Sequence, residues 1–140
     1  MKILMAVDGS EYTRRMISFV TDHDALFPPG SDFTVLTVLP PLPERAAAFM
    51  SRQSLSTSYE NEAAEVFQTV RDFVSQKGSA ARFHHSVGHP AEGISVLAQQ
   101  GNYDLILLGS HGHTALMNVV LGSVTTGVLS RCKTPVLIVR

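Results

Sequence analysis

Cysteine occurs once in the 140 residues, at Cys132, and tryptophan not at all. A single thiol rules out an internal disulfide, and without a Cys-x-x-Cys pair no thiolate cluster exists to hold zinc or an iron–sulfur centre. Cys132 reads as a small apolar residue near the end of a helix. An excess of charge is also lacking: 11 Lys and Arg stand against 12 Asp and Glu, a formal net charge of -1, with a pI of about 6.6. A chain without net positive charge lacks the counterion release that drives nucleic-acid binding, so no nucleic-acid partner is expected. Long hydrophobic runs are missing as well. The first apolar run, Ile3 to Val7, is stopped by Asp8 and is too short for a signal-peptide core or a membrane span. The sequence therefore predicts a cytoplasmic protein with no membrane partner. Short apolar stretches are plentiful, at 44% hydrophobic residues. In a chain of this length they suffice for one compact domain over residues 1–140.

Those stretches alternate with segments of helical spacing, an α/β rhythm. Lys2–Asp8, Phe33–Leu39, Asp104–Leu108 and Val136–Val139 are near-continuous apolar runs of the kind that parallel strands covered on both faces show. A fifth strand over Ala81–Val87 alternates Phe83, His85 and Val87 with Arg82, His84 and Ser86, which suits a place near a sheet edge. Helices are expected over Glu11–Leu26, with Met16, Ile17, Phe19 and Val20 inward and Ser10 as N-cap, and over Ser58–Lys77, opened by Thr57 and Glu60 as a capping box and stopped by Gly78. The apolar stripe of the second is Ala63, Val66, Phe67, Val70, Phe73 and Val74. Pro90–Gln100 and Ser123–Arg131 are the third and fourth. Gly127, costly inside a helix by about 1 kcal/mol, predicts a close packing contact there.

Pro40–Leu55, with three prolines and no period, reads as a surface loop: a lid, a partner surface or a tolerated insertion. Right-handed crossovers arrange the strands as a doubly wound five-stranded parallel sheet with helices on both faces. Ligands of such sheets sit beyond the carboxyl ends of the strands where strand order reverses, which directs attention to the residues after the first and fourth strands.

The fourth strand is followed by Gly109-Ser110-His111-Gly112, then nine residues, then Gly122-Ser123-Val124-Thr125 opening the last helix. Gly109 and Gly112 can admit a close ligand or take positive φ. The unpaired amides of a helix N-terminus and its dipole attract phosphate without any lysine, and the hydroxyls of Ser123 and Thr125 add donors. Read singly, the same residues are ordinary turn glycines and a helix cap.

The full spacing resembles the nucleotide-binding signature of the universal stress protein family. The likeness extends over MKILMAVDGS, FTVLTVLP, GHPAEGI, DLILLGSHGHTAL, LGSVTTGVL and TPVLIVR. It implies a Rossmann-like sheet of the adenine nucleotide alpha-hydrolase type, homodimers and, in the branch carrying the glycine signature, ATP binding. Carried onto this chain, it places Asp8 at the ribose or adenine edge with Ala6 and Val7 beside it, and Val38 offering its backbone to adenine. Leu108, Gly109 and Gly112 would line ribose and phosphates, and Gly122, Ser123, Val124 and Thr125 would hold the phosphate chain. A carboxylate ending the first strand can indeed accept from ribose hydroxyls, though Asp8 also suits a turn that caps the first helix. His113 departs from the family, many of whose members carry Arg or Lys there.

Other motifs fail on chemistry. Gly88 and Gly93 have Walker A spacing, but Ile94 replaces the lysine. Neither a dinucleotide fingerprint nor Gly-x-Ser-x-Gly is present. His84, His85 and His89, and His111 and His113, lack the helical pairing of a protein-only metal site, so no protein-held metal is expected. A Mg²⁺ or Mn²⁺ ion accompanying ATP would take most of its ligands from the phosphates, with His111 and His113 near them.

The leading expectation is an ATP-binding stress-response module in which the nucleotide shifts the population of two states toward one that a protein partner reads. A slow ATPase or autophosphorylating protein, with Ser110, Ser123 or Thr125 as acceptor, is the enzymatic alternative, although neither a base nor an arginine for the γ-phosphate is identifiable. A nucleotide-independent dimeric adaptor is the third. Val136–Val139, if at the sheet edge, offers unpaired backbone to a second copy.

Overall fold

The computed structural model describes residues 1–77, 81–113 and 120–140. Five strands, β1 (Lys2–Ala6), β2 (Asp32–Leu39), β3 (Ala81–Val87), β4 (Leu105–Gly109) and β5 (Val136–Val139), form one all-parallel sheet in the order β3-β2-β1-β4-β5. Helices α1 (Glu11–Asp22), α2 (Glu44–Ala47), α3 (Arg52–Lys77), α4 (Pro90–Gln100) and α5 (Ser123–Arg131) connect them. Strand order reverses between β1 and β4, so the chain's crevice opens at their carboxyl ends.

Period-two alternation divides the core between the faces. Ile3, Met5 and Val7 of the first strand segment pack with Val35 and Leu107 beneath Met16 and Val20 of α1 and Ala63, Phe67 and Val70 of α3. Leu4, Leu36, Ile106 and Leu108 point the other way, onto Ala91, Ile94 and Ala98 of α4 and Val128 of α5. Both faces are covered, which is why the strands read as continuous apolar runs rather than alternating ones. The expected close contact at Gly127 is present: a Cβ there would lie 2.6 Å from Ala91 Cβ, where α5 crosses α4.

Three local expectations need correction. Pro40–Leu55 is not an irregular loop, since it contains α2 and the first turn of α3. α3 begins six residues before the expected Ser58, capped by Ser51, whose Oγ accepts from the Ser54 amide at 3.0 Å and whose carbonyl accepts from the Leu55 amide at 2.9 Å. Thr57 and Glu60 lie inside the helix, and Glu60 accepts instead from Ser56 Oγ at 3.0 Å. The early turns are polar and exposed, so no apolar stripe announces them, while Tyr59 Oη anchors the helix by accepting from the Leu42 amide at 2.8 Å. The proposed stop at Gly78 lies outside the described residues. α1 ends at Asp22 and gives way to a 3₁₀ turn, Asp24–Leu26. Ser10 occupies the N-cap position, yet its hydroxyl is buried without a partner and makes no cap.

Candidate functional site

Asp8 does the work expected of Ser10. Its Oδ1 accepts from the Ser10 amide at 2.9 Å and from Thr13 Oγ1 at 3.1 Å, fixing the carboxylate against the first turn of α1. Oδ2 makes no hydrogen bond among the described residues and faces Gly112, where a Cβ would stand 2.6 Å from it. One oxygen thus holds the turn that leads into α1, and the other is open.

Two hydrogen bonds attach the start of α5 to the end of β4. The Gly122 amide donates to the Ser110 carbonyl at 2.7 Å, and Thr125 Oγ1 donates to the Gly109 carbonyl at 2.8 Å. Ser110 is in turn held to β5 by its amide, 2.8 Å from the Val139 carbonyl. None of Gly109, Gly112 and Gly122 takes positive φ. They are required by close approach, since a Cβ would come within 2.6 Å of Tyr12 Cβ at Gly109 and 3.2 Å of the Ser110 carbonyl at Gly122. The expected alternative of positive φ at Gly109 or Gly112 is thus not what the backbone uses.

Gly122 is the N-cap of α5, and the first intrahelical bond returns to it from Thr126 at 3.0 Å. The amides of Ser123, Val124 and Thr125 consequently have no acceptor among the described residues. No acidic side chain occupies that first turn to neutralise the dipole. The Thr125 hydroxyl corrects the sequence reading: buried and donating to Gly109, it is not a free donor for phosphate. Ser110 is likewise 2% exposed, with its Oγ 3.2 Å from His111 Nδ1, which removes it as an accessible phosphoryl acceptor; Ser123 is exposed.

These features surround a cavity of about 830 Å³ at the carboxyl ends of β1 and β4, within the size range of small-molecule sites. Ala6, Val7, Asp8, Val38, Leu108, Gly109, Gly112, Gly122, Ser123, Val124 and Thr125 all line it. So do His111 and His113. The His113 ring donates from Nε2 to the Asp8 carbonyl at 2.7 Å, and so closes the Gly112 turn over the carboxylate. Sequence reasoning missed Tyr12, Leu36, Ile94 and Arg131, which also line the cavity. Leu36 was within reach, being two residues before Val38 on the same face of β2. Tyr12 gave no such signal: it arrives because Gly109 lets α1 approach, and its ring lies 5.5 Å from that of His111. No residue from 40 to 55 reaches this cavity, so the lid expected there does not line it. Apolar side chains, open backbone amides and a carboxylate oxygen share this lining, a combination suited to a ligand that joins an apolar ring to hydroxyl and anionic groups.

The model of the universal stress protein family matches residues 1–140. The chain belongs to the universal stress protein family. It is 33% identical over 86 residues to universal stress protein MJ0577 of Methanocaldococcus jannaschii, covering 61% of this chain and 53% of that protein. It is 27% identical over 139 residues to universal stress protein Slr1230 of Synechocystis, covering 99% of this chain and 42% of that protein. In these alignments the chain spans about half the length of the relatives it matches. In structure it superposes on MJ0577 with a TM-score of 0.82 at 28% identity, covering 99% of this chain and 94% of the other. The fold is shared with a universal stress protein of Archaeoglobus fulgidus in complex with dAMP, at a TM-score of 0.69, 21% identity and coverage of 100% and 98%. It is shared also with one from Arabidopsis thaliana with AMP bound, at 0.70, 12% identity and coverage of 99% and 90%. Among the described residues no helix of this universal stress protein is long and apolar enough to cross a membrane.

Proposed function

We propose that this universal stress protein binds an adenine nucleotide, ATP, in the 830 Å³ cavity and acts as a nucleotide-dependent regulatory module of the cytoplasmic stress response. One observation carries the reading: Asp8 Oδ2 and the amides of Ser123, Val124 and Thr125, all without partners among the described residues, line the same cavity as the apolar Ala6, Val38 and Leu108. The carboxylate oxygen suits ribose hydroxyls and the α5 N-terminus suits phosphates, while the apolar residues suit the base. The AMP and dAMP held by proteins of this fold support the same class of ligand. Mg²⁺ or Mn²⁺ would be held chiefly by the phosphates, because among the described residues no three His, Cys, Asp or Glu side chains gather to hold a metal. Within this reading the chain is one domain and forms a homodimer through β5, which ends the sheet and among the described residues pairs with β4 alone. A protein partner reads the nucleotide state.

The test is to purify the chain without added nucleotide, denature it, identify any released small molecule by chromatography with mass detection, and titrate ATP with Mg²⁺ by calorimetry. Stoichiometric adenine nucleotide, or ATP binding that Gly122→Val abolishes, supports the reading. An empty protein that ignores ATP would overturn it in favour of a nucleotide-independent dimeric adaptor.

A further inference from the structure

A second cavity, of about 530 Å³, adjoins the first and shares Asp8, Val38 and His113 with it, but it opens between the ends of β1 and β2 and helix α3. Its polar lining is of one charge. Asp8, Glu62 and Glu65 contribute carboxylates, and among the described residues neither lysine nor arginine lines it. Glu62 and Glu65, three residues apart on α3, project from one face of that helix, and both are exposed at the rim. His113 adds no free donor at Nε2, which is engaged by the Asp8 carbonyl.

Thr37 supplies the independent observation. It is 2% exposed, lines this cavity, and its hydroxyl makes no hydrogen bond among the described residues. The residue is buried while its hydroxyl, without a protein partner, opens to the cavity, which offers a ligand's polar group a partner there. The lining also includes the apolar Leu39 and Val66. An inorganic cation does not match: no three metal-ligating side chains come together among the described residues, and aliphatic walls contribute nothing to one. A cation with two charged ends joined by a short hydrocarbon matches every part.

We propose that this second cavity binds a linear aliphatic diamine. One ammonium donates to Thr37 Oγ1 and pairs with Asp8, the methylene stem lies along Leu39 and Val66, and the other ammonium pairs with Glu62 and Glu65. Asp8 lines both cavities, so a ligand in the larger one competes for its open oxygen. The diamine site is tested on the nucleotide-free chain by titrating 1,4-diaminobutane and following backbone amides by nitrogen-15 NMR, with butylamine and 1,4-butanediol as probes that remove one charge and both. The diamine is expected to shift amides around Thr37 and Val66, butylamine to bind about tenfold more weakly, and the diol not to bind, a tenfold step being what the loss of two exposed ion pairs amounts to. Glu62→Gln with Glu65→Gln, exposed positions that leave the fold intact, should weaken the diamine about tenfold, and Thr37→Val should weaken it further. Equal affinity in the doubly substituted chain, shifts confined to other surfaces, or no shift at the highest soluble concentration would each overturn the proposal, while ATP binding measured separately would be unaffected.

Discussion

Replacing Thr125 by valine separates two roles that the sequence cannot distinguish. The side chain is 2% exposed and its hydroxyl donates to the Gly109 carbonyl at 2.8 Å, so valine removes a donor from a buried acceptor while keeping the shape. Leaving that carbonyl without its partner costs about 1–3 kcal/mol. The methyl that replaces the hydroxyl offsets up to about 0.8 kcal/mol of this by added apolar burial. The net loss is on the order of 1–2 kcal/mol, which for a chain of this size lowers Tm by about 3–8 °C. Because the open donors of α5 are backbone amides, which valine retains, the ATP affinity should fall by less than about threefold, a change worth under 1 kcal/mol. Thr125→Ser, which keeps the hydroxyl, should stay close to the parent in both respects. Thermal melting and ATP calorimetry on the three proteins decide the matter: an unchanged melting point with ATP binding lost would show that the hydroxyl contacts the ligand and that the hydrogen bond to Gly109 contributes nothing.

Gly127→Ala gains helix propensity of about 1 kcal/mol but puts a methyl 2.6 Å from Ala91 Cβ, so denaturant unfolding should show net destabilisation of about 1 kcal/mol, relieved when Ala91→Gly is added. Gly112→Ala drives a Cβ into Asp8 Oδ2; ATP affinity should fall about tenfold, and an unaltered affinity by calorimetry would remove Asp8 from the ligand's surroundings. Val136→Asp with Ile138→Asp should convert a dimer to monomer in sedimentation, whereas an unchanged mass would place the interface elsewhere than the β5 edge.

The sheet was legible because its signals are strong and local. Continuous runs such as Phe33–Leu39 and Leu105–Leu108 read as parallel strands covered on both faces, and Gly127 pointed to a close packing contact, which the structure places against Ala91 of α4. The turns of α3 before Ser58 were not legible, because exposed polar helix carries no periodic stripe and its start rests on one serine cap and on Tyr59, seventeen residues from the amide it anchors. At the site, the glycine spacing pointed to residues that line the larger cavity but not to how they are held there. Whether Thr125 faces a ligand or a carbonyl depends on where β4 ends relative to α5, which is a tertiary distance. Tyr12 enters the cavity only because a residue nearly a hundred positions later lacks a side chain.

The two hydrogen bonds that join α5 to β4, Gly122 to Ser110 and Thr125 to Gly109, together with the His113 clasp on Asp8, tie the end of β4, the start of α5 and the residues after β1 to one another around the cavity. The α5 amides and the Asp8 carboxylate therefore belong to one frame, so a substitution that displaces the end of β4 is felt at both.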